Sequence, residues 1–206
     1  MKIAVIGGTG MVGSRVAAEA AGRGHEVVAV SRKGDASATE QIRPVRADAA
    51  DTAAISSAVA GSEVVISAIG PSRDADGDPG AFPQTLLSLA AAVQPIRLIV
   101  VGGAGSLLTG DGVKLLDTPE FPAEYKAEAT AASAALDALR STSGLGDWTF
   151  VSPSPVIAPG ERTGSYTLGE DSPAGDFVSA EDFAVALVDE AEKPAHTGRR
   201  FTVASA

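Results

Sequence analysis

Apolar and polar positions along the chain follow two rhythms. Short apolar runs, closed by glycine or polar residues, occur at Lys2–Ile6, His25–Val30, Ile42–Val45, Glu63–Ile69, Arg97–Val101, Trp148–Ser152 and Arg200–Ala204. Between them lie longer stretches at Met11–Ala21, Ala53–Ala60, Gln84–Val93, Ala123–Leu139 and Glu181–Glu192. The short runs read as strands and the long stretches as helices. Gly22-Arg23-Gly24 closes the first helix, and Asp51 or Thr52 caps the second. Gly164–Leu168 reads as a short strand or hairpin arm. The strands are apolar throughout, Glu63–Ile69 most clearly, as expected when both faces are covered. Strand and helix alternate, which predicts an α/β fold: a doubly wound parallel sheet with helices on both faces. No repeat or linker interrupts the pattern, so residues 1–206 are expected to form one domain. The second half carries more loop, where a small C-terminal substrate-side region is expected.

Composition narrows the function classes. The chain has 206 residues, 45% hydrophobic, enough for one good core. Its net charge of −10 and lack of a basic stripe argue against nucleic acid. The absence of cysteine excludes disulfides, thiolate catalysis and Cys-based metal sites. No apolar run approaches the roughly 20 residues of a membrane helix. The opening Met1–Ile6 run ends in a glycine turn too early for a signal peptide. A cytoplasmic protein is expected, without membrane or nucleic-acid partners.

The candidate chemistry begins at Gly7-Gly8-Thr9-Gly10-Met11-Val12-Gly13. From Gly8 it fits G-x-G-x-x-G, directly after a predicted strand and opening a predicted helix. That context suits dinucleotide binding. The first glycine permits the turn, Gly10 lets backbone approach a pyrophosphate, and Gly13 lets helix and strand pack closely. The N–H groups of the helix N-terminus then face the phosphates. A P-loop is the nearest rival, but Ser14 and Arg15 stand where its Lys and Ser/Thr belong.

The second strand ends in Val30-Ser31-Arg32-Lys33. An acid about 20 residues past the glycines would bond a ribose 2′-hydroxyl and repel a 2′-phosphate. None stands at the tip. Arg32 and Lys33 can pair with a phosphate, so NADP(H) is favoured, with NAD(H) possible and Asp35 a weak candidate for it.

These residues, with Asp48, Ser67-Ala68-Ile69-Gly70 and Val101-Gly102-Gly103-Ala104-Gly105-Ser106-Leu107, resemble the atypical short-chain dehydrogenases. More narrowly, the chain is similar to the NAD(P)H-binding group that includes NADH-flavin reductases, NmrA-like proteins and biliverdin reductase B. Trp148–Pro153 and Ser179–Ala184 match later motifs of that group, so the resemblance spans essentially the whole chain. It implies a Rossmann fold. It also implies that Gly7, Thr9, Gly10, Met11, Val12 and Gly13 hold pyrophosphate and that Ser31, Arg32 and Lys33 meet the adenosine end. Asp48 and Ala49 would lie by the adenine, and Ala68, Ile69 and Gly70 along the ribose and pyrophosphate. Gly102, Gly103, Pro153 and Ser154 would border the nicotinamide. Asp48 could equally serve a turn or cap. Members with a catalytic Tyr-x-x-x-Lys place Lys four residues after Tyr; here Tyr125 is followed at that spacing by Ala129.

Other chemistry finds little support. His25 and His196 are too isolated for a metal site. No H-E-x-x-H or G-x-S-x-G occurs. Asp74, Asp76 and Asp78 alternate in a Gly/Pro loop at 71–83, without the later Glu of a calcium loop. That loop is expected to be solvated and could cover a cofactor. The leading expectation is an NADPH-dependent reductase passing hydride to a flavin, quinone or similar conjugated small molecule, with Ser106 and Tyr125 as polar contacts. Such acceptors draw their proton from water, which suits the missing Lys. The alternative is a non-catalytic NADP(H)-binding redox sensor. An epimerase or dehydratase fits less well, because the chain is short and lacks the Tyr-Lys pair. A monomer or weak homodimer is expected.

Overall fold

The apolar run Lys2–Ile6 becomes β1, and the later runs join it in one sheet. The computed structural model describes residues 1–36, 39–72 and 77–206. β2 is Glu26–Ser31, β3 Ile42–Arg46, β4 Val64–Ser67, β5 Arg97–Val101 and β6 Trp148–Pro153. Two short strands, β7 (Val156–Ala158) and β9 (Phe177–Ser179), pair with each other in parallel as a separate small sheet. β8 (Tyr166–Gly169) and β10 (Arg199–Ser205) complete the main sheet. Its order is β3-β2-β1-β4-β5-β6-β10-β8. All neighbours run parallel except β8, which is antiparallel to β10. The expected doubly wound parallel sheet is present, and the chain reverses its winding direction between β1 and β4.

Among the described residues, five α-helices cover the two faces: α1 (Met11–Gly22), α2 (Thr52–Val59), α3 (Phe82–Ala92), α4 (Lys126–Ser141) and α5 (Ala180–Glu192). Alternate strand residues feed two cores. Ile6, Val65, Val100 and Phe150 pack with α2, α3 and α4. Val5, Ile66, Ile99 and Val151 pack with α1 and α5. Full burial of a Leu or Ile side chain stabilises by about 1.5–3 kcal/mol, so each face anchors its helices firmly.

Element ends follow local chemistry. α1 stops where Gly24, at φ +83°, takes the left-handed conformation after Arg23. The Asp51 carboxylate accepts the Ala54 N–H at 3.0 Å and starts α2. The Ser179 hydroxyl accepts the Asp182 N–H and starts α5.

Several boundaries differ from expectation. β4 ends at Ser67 rather than Ile69, although Ala68 N–H still reaches the Ile6 carbonyl at 2.7 Å. α3 begins at Phe82, because Pro83 fits a first helical turn. The stretch from Ala123 opens as a 3-10 turn, Ala123–Tyr125, before α4 proper. Asp74 and Asp76 of the 71–83 loop lie outside the described residues; Asp78 caps a short 3-10 turn by accepting the Gly80 N–H.

Candidate functional site

Gly7 and Gly8 follow β1 immediately, and both N–H groups donate to the Val30 carbonyl at the end of β2, at 2.9 and 3.0 Å. Gly7 sits at φ +86°, and a Cβ there would lie 2.8 Å from the Ala68 carbonyl oxygen. The turn is thus wedged between the ends of β2 and β4. Gly13 lies in the first turn of α1, and a Cβ on it would come within 2.1 Å of the Gly7 carbonyl oxygen. Both glycines are demanded by the chain's own packing.

Gly10 is different. A Cβ there would meet nothing closer than the Gly7 carbonyl oxygen at 3.4 Å, and its φ is −73°. The protein itself could carry alanine at this position. Gly10 is also the N-cap of α1, yet no side chain caps the helix and no acid lies in its first turn. The first N–H groups of a helix have no partner within it. A bare, uncapped N-terminus at the carboxyl edge of a parallel sheet suits an anion brought from outside the chain.

A second polar feature lies at the end of the neighbouring strand, on the face covered by α2, α3 and α4. Ser67 ends β4, beside Ile6 and Val100 in register, and is fully buried. Its hydroxyl has no hydrogen-bond partner among the described residues. A buried hydroxyl left unpaired costs about 1–3 kcal/mol. Ser67 belongs to the quoted Ser67–Gly70 motif but was not among the site residues expected. The signal was available: it is the one polar residue in an otherwise apolar strand, at its carboxyl end.

The remaining expected cofactor residues follow the carboxyl ends of adjacent strands. Ser31 ends β2, with Arg32 and Lys33 exposed beyond it. Asp48 and Ala49 follow β3; the Asp48 carboxylate accepts the Ala50 N–H at 2.9 Å and so shapes its own turn. Ala68, Ile69 and Gly70 follow β4, and Gly102 and Gly103 follow β5. A Cβ at Gly102 would overlap the Phe150 ring at 1.9 Å, so its lack of a side chain already has a packing reason. Pro153 closes β6. Ser154 is fully buried, and its hydroxyl donates to the Val203 carbonyl, tying β6 to β10.

The two polar residues expected near an acceptor differ sharply. Tyr125 is 54% exposed at the start of α4, and its hydroxyl makes no hydrogen bond among the described residues. One turn on, Ala129 lies against the loop after β5: a Cβ on Gly105 would sit 2.8 Å from the Ala129 Cβ. The position where a Lys would complete Tyr-x-x-x-Lys is closely packed. Ser106 is only 6% exposed, and its hydroxyl accepts from the buried Arg200 guanidinium at 2.7 Å. Arg200 also donates to Asp171, which Arg140 meets at 2.8 Å. Burial alone would raise the Asp171 carboxyl, but the two guanidinium partners hold it below the usual carboxylate range. Burial in turn lowers Arg200 from its ordinary value. Ser106 is therefore part of a buried polar brace.

The histidines serve structure. His25 pairs with Glu192 at 2.7 Å. His196 pairs with the buried Glu190 and stacks on Phe201. Burial would raise the Glu190 carboxyl, but His196 and the N–H groups of Ala195 and His196 hold it below its ordinary value. Among the described residues no group of three or more His, Asp or Glu could hold a metal ion. Nor is any described helix long and apolar enough to cross a membrane.

Comparison with known proteins shows the family. The family model for NAD(P)H-binding proteins matches residues 7–194. The Bacillus subtilis (strain 168) protein YwnB, whose function is uncharacterized, is 36% identical over all of this chain and 99% of its own length. A Burkholderia pseudomallei structure named "putative exported protein" is 42% identical, with TM-score 0.85 and 99% of both chains covered. A Streptococcus pneumoniae TIGR4 structure named "putative NADH-flavin reductase" is 34% identical, with TM-score 0.86 over the full length of both chains.

Proposed function

Because the chain belongs to the NAD(P)H-binding family, we propose that it is an NADPH-dependent reductase whose hydride acceptor is a flavin, quinone or similar conjugated molecule. The observation that carries this reading is the uncapped helix N-terminus at Gly10, set beside a Tyr125 that has Ala129 where an activating Lys would be. The first feature binds a dinucleotide; the second disfavours reactions that need a strong proton donor. When bound, a reduced nicotinamide supplies hydride, and a flavin or quinone takes the accompanying proton from water. The chain's part is to bind and orient. The N–H groups at the start of α1 hold the pyrophosphate, and Ser31, Arg32 and Lys33 favour the 2′-phosphate over a bare ribose. Tyr125 offers an exposed polar contact to the acceptor. Ser106 could join it only by sharing the hydroxyl that Arg200 already uses. The named resemblance to an NADH-flavin reductase over the full chain supports the acceptor class. We place the protein in the cytoplasm as a monomer or weak homodimer.

The test is turnover. Purified protein with NADPH is expected to show acceptor-dependent loss of reduced-nicotinamide absorbance with FMN, riboflavin or simple quinones. Tight NADPH binding with no oxidation across that panel would favour the alternative, a redox-sensing module. The engaged Ser106 hydroxyl speaks for that second reading, since it removes one of two candidate acceptor contacts.

A further inference from the structure

The ends of β2 and β3 lie side by side, and they gather cations in a chain whose net charge is −10. Register pairs Ser31 with Arg46, and the Ala47 N–H donates to the Ser31 carbonyl at 3.0 Å. Arg46 is thus the lateral neighbour of the strand end that meets the adenosine half of a dinucleotide. Strand alternation puts both on the sheet face that carries α1: Val27 and Ala29 of β2 and Ile42 of β3 pack into that core. Ser31 and Arg46 continue the same alternation. The Ser31 hydroxyl accepts the Gly34 N–H at 2.9 Å and folds the following loop back toward β3. Gly34 sits at φ +70°, and a Cβ on it would lie 3.0 Å from the Arg46 Cβ. The loop carrying Arg32 and Lys33 therefore rests directly on Arg46. Lys33 and Arg46 are exposed, and neither makes a hydrogen bond or ion pair among the described residues. Asp35 lies beside the cluster, where its carboxylate accepts from the Ser31 hydroxyl at 3.3 Å. Arg43, on the same strand, alternates to the opposite face.

We propose that Arg46 is a specificity-determining residue that joins Arg32 and Lys33 in a subsite for the 2′-phosphate of NADP(H). The inference rests on the reading that a dinucleotide binds along the carboxyl edge. A guanidinium grips a phosphate through two parallel N–H bonds, whereas the 2′-hydroxyl of NAD offers it no charge. Arg46 thus discriminates between the cofactors and adds little to what they share.

The test measures affinity and needs no turnover. NADPH and NADH are titrated by nicotinamide fluorescence into wild type, Arg46→Met and Arg46→Lys at one fixed ionic strength. Met keeps an apolar stem against Gly34. In Arg46→Met, NADPH affinity is expected to fall about tenfold while NADH changes less than about twofold, as for one lost charge-assisted contact. Arg46→Lys is expected to recover part of the loss, because it keeps the charge but not the fork. 2′,5′-ADP should compete with NADPH in wild type and more weakly in Arg46→Met, while 5′-AMP competes equally in both. Equal weakening of both cofactors, or no change in either, would overturn the assignment. So would a wild type that binds NADH as tightly as NADPH. An affinity split without turnover on any acceptor would uphold Arg46 and count only against the reductase reading.

Discussion

A Cβ on Gly13 would lie 2.1 Å from the Gly7 carbonyl oxygen, inside any permissible contact. Backbone holds that carbonyl, so a larger residue must push α1 off β1. Gly13→Ala is therefore expected to destabilise the fold by about 1–3 kcal/mol, as overpacking does, with cofactor affinity lost alongside; urea unfolding checks it. Charged residues carry the pH dependence. Glu190 is held below its ordinary value of 4.5 in the folded chain, despite its burial. Its network with His196 and the Ala195 and His196 N–H groups is thus fully stabilising above pH 4.5. That contribution is lost as pH falls through the lower folded value. The unfolding free energy should drop on acidification below pH 4.5, and Glu190→Gln should flatten part of that drop. Equal acid sensitivity in the variant would contradict the assignment. At this scale the sequence was informative where chemistry is local. The glycine turn and the Asp51 cap depend on neighbours within a few positions. The Arg200–Ser106 bond joins residues 94 positions apart, and no local pattern announces it.

The loop after β5 shows how elements are fastened together. Arg200 on β10 holds Ser106 from that loop and Asp171 from the segment after β8, while the Leu108 N–H donates to the Asp171 carbonyl. The pair is unequal in burial: side-chain exposure is 2% for Arg200 and 48% for Asp171. Removing Asp171 strands a charge that water cannot reach; removing Arg200 leaves a carboxylate that water can solvate. Asp171→Asn is therefore expected to cost about 3 kcal/mol in chemical denaturation and Arg200→Met clearly less. The reverse order would refute the brace. Ser106→Ala should cost about 1 kcal/mol of stability and leave turnover near wild type if Ser106 only braces; a large loss of turnover would return it to the acceptor site. Long apolar elements were legible in the sequence because their period repeats. β7 and β9 were not: each has three residues, Pro155 and Pro159 flank β7, and 18 residues that include β8 separate the two. The early start of α3 was hidden because Pro83 reads as a breaker until its place in a first turn is known.

At the scale of the whole molecule, parallel topology gathers the site. Parallel strands end on one edge, so residues from Gly7 to Ser154 converge there although they are far apart in sequence. The chain changes winding direction between β1 and β4, and the Gly7 turn touches the Ala68 carbonyl at that point. Open α/β sheets bind ligands in the crevice at such a reversal. Strand–helix alternation made this architecture readable in advance. The acceptor side was less readable, since it depends on loops whose shape comes from contacts across the sheet. The most direct measurement is calorimetric titration of NADPH into wild type and Gly10→Ala, with thermal unfolding recorded for both. A Cβ fits at Gly10, and Ala is only a somewhat weaker N-cap than Gly, so the variant should unfold within a few degrees of wild type, as for a loss of about 0.5–1 kcal/mol. Wild type should bind one NADPH per chain, and the variant should bind at least about tenfold more weakly, a loss of some 1.4 kcal/mol. A wild type that does not bind NADPH, or a Gly10→Ala that binds it equally well, would contradict the account.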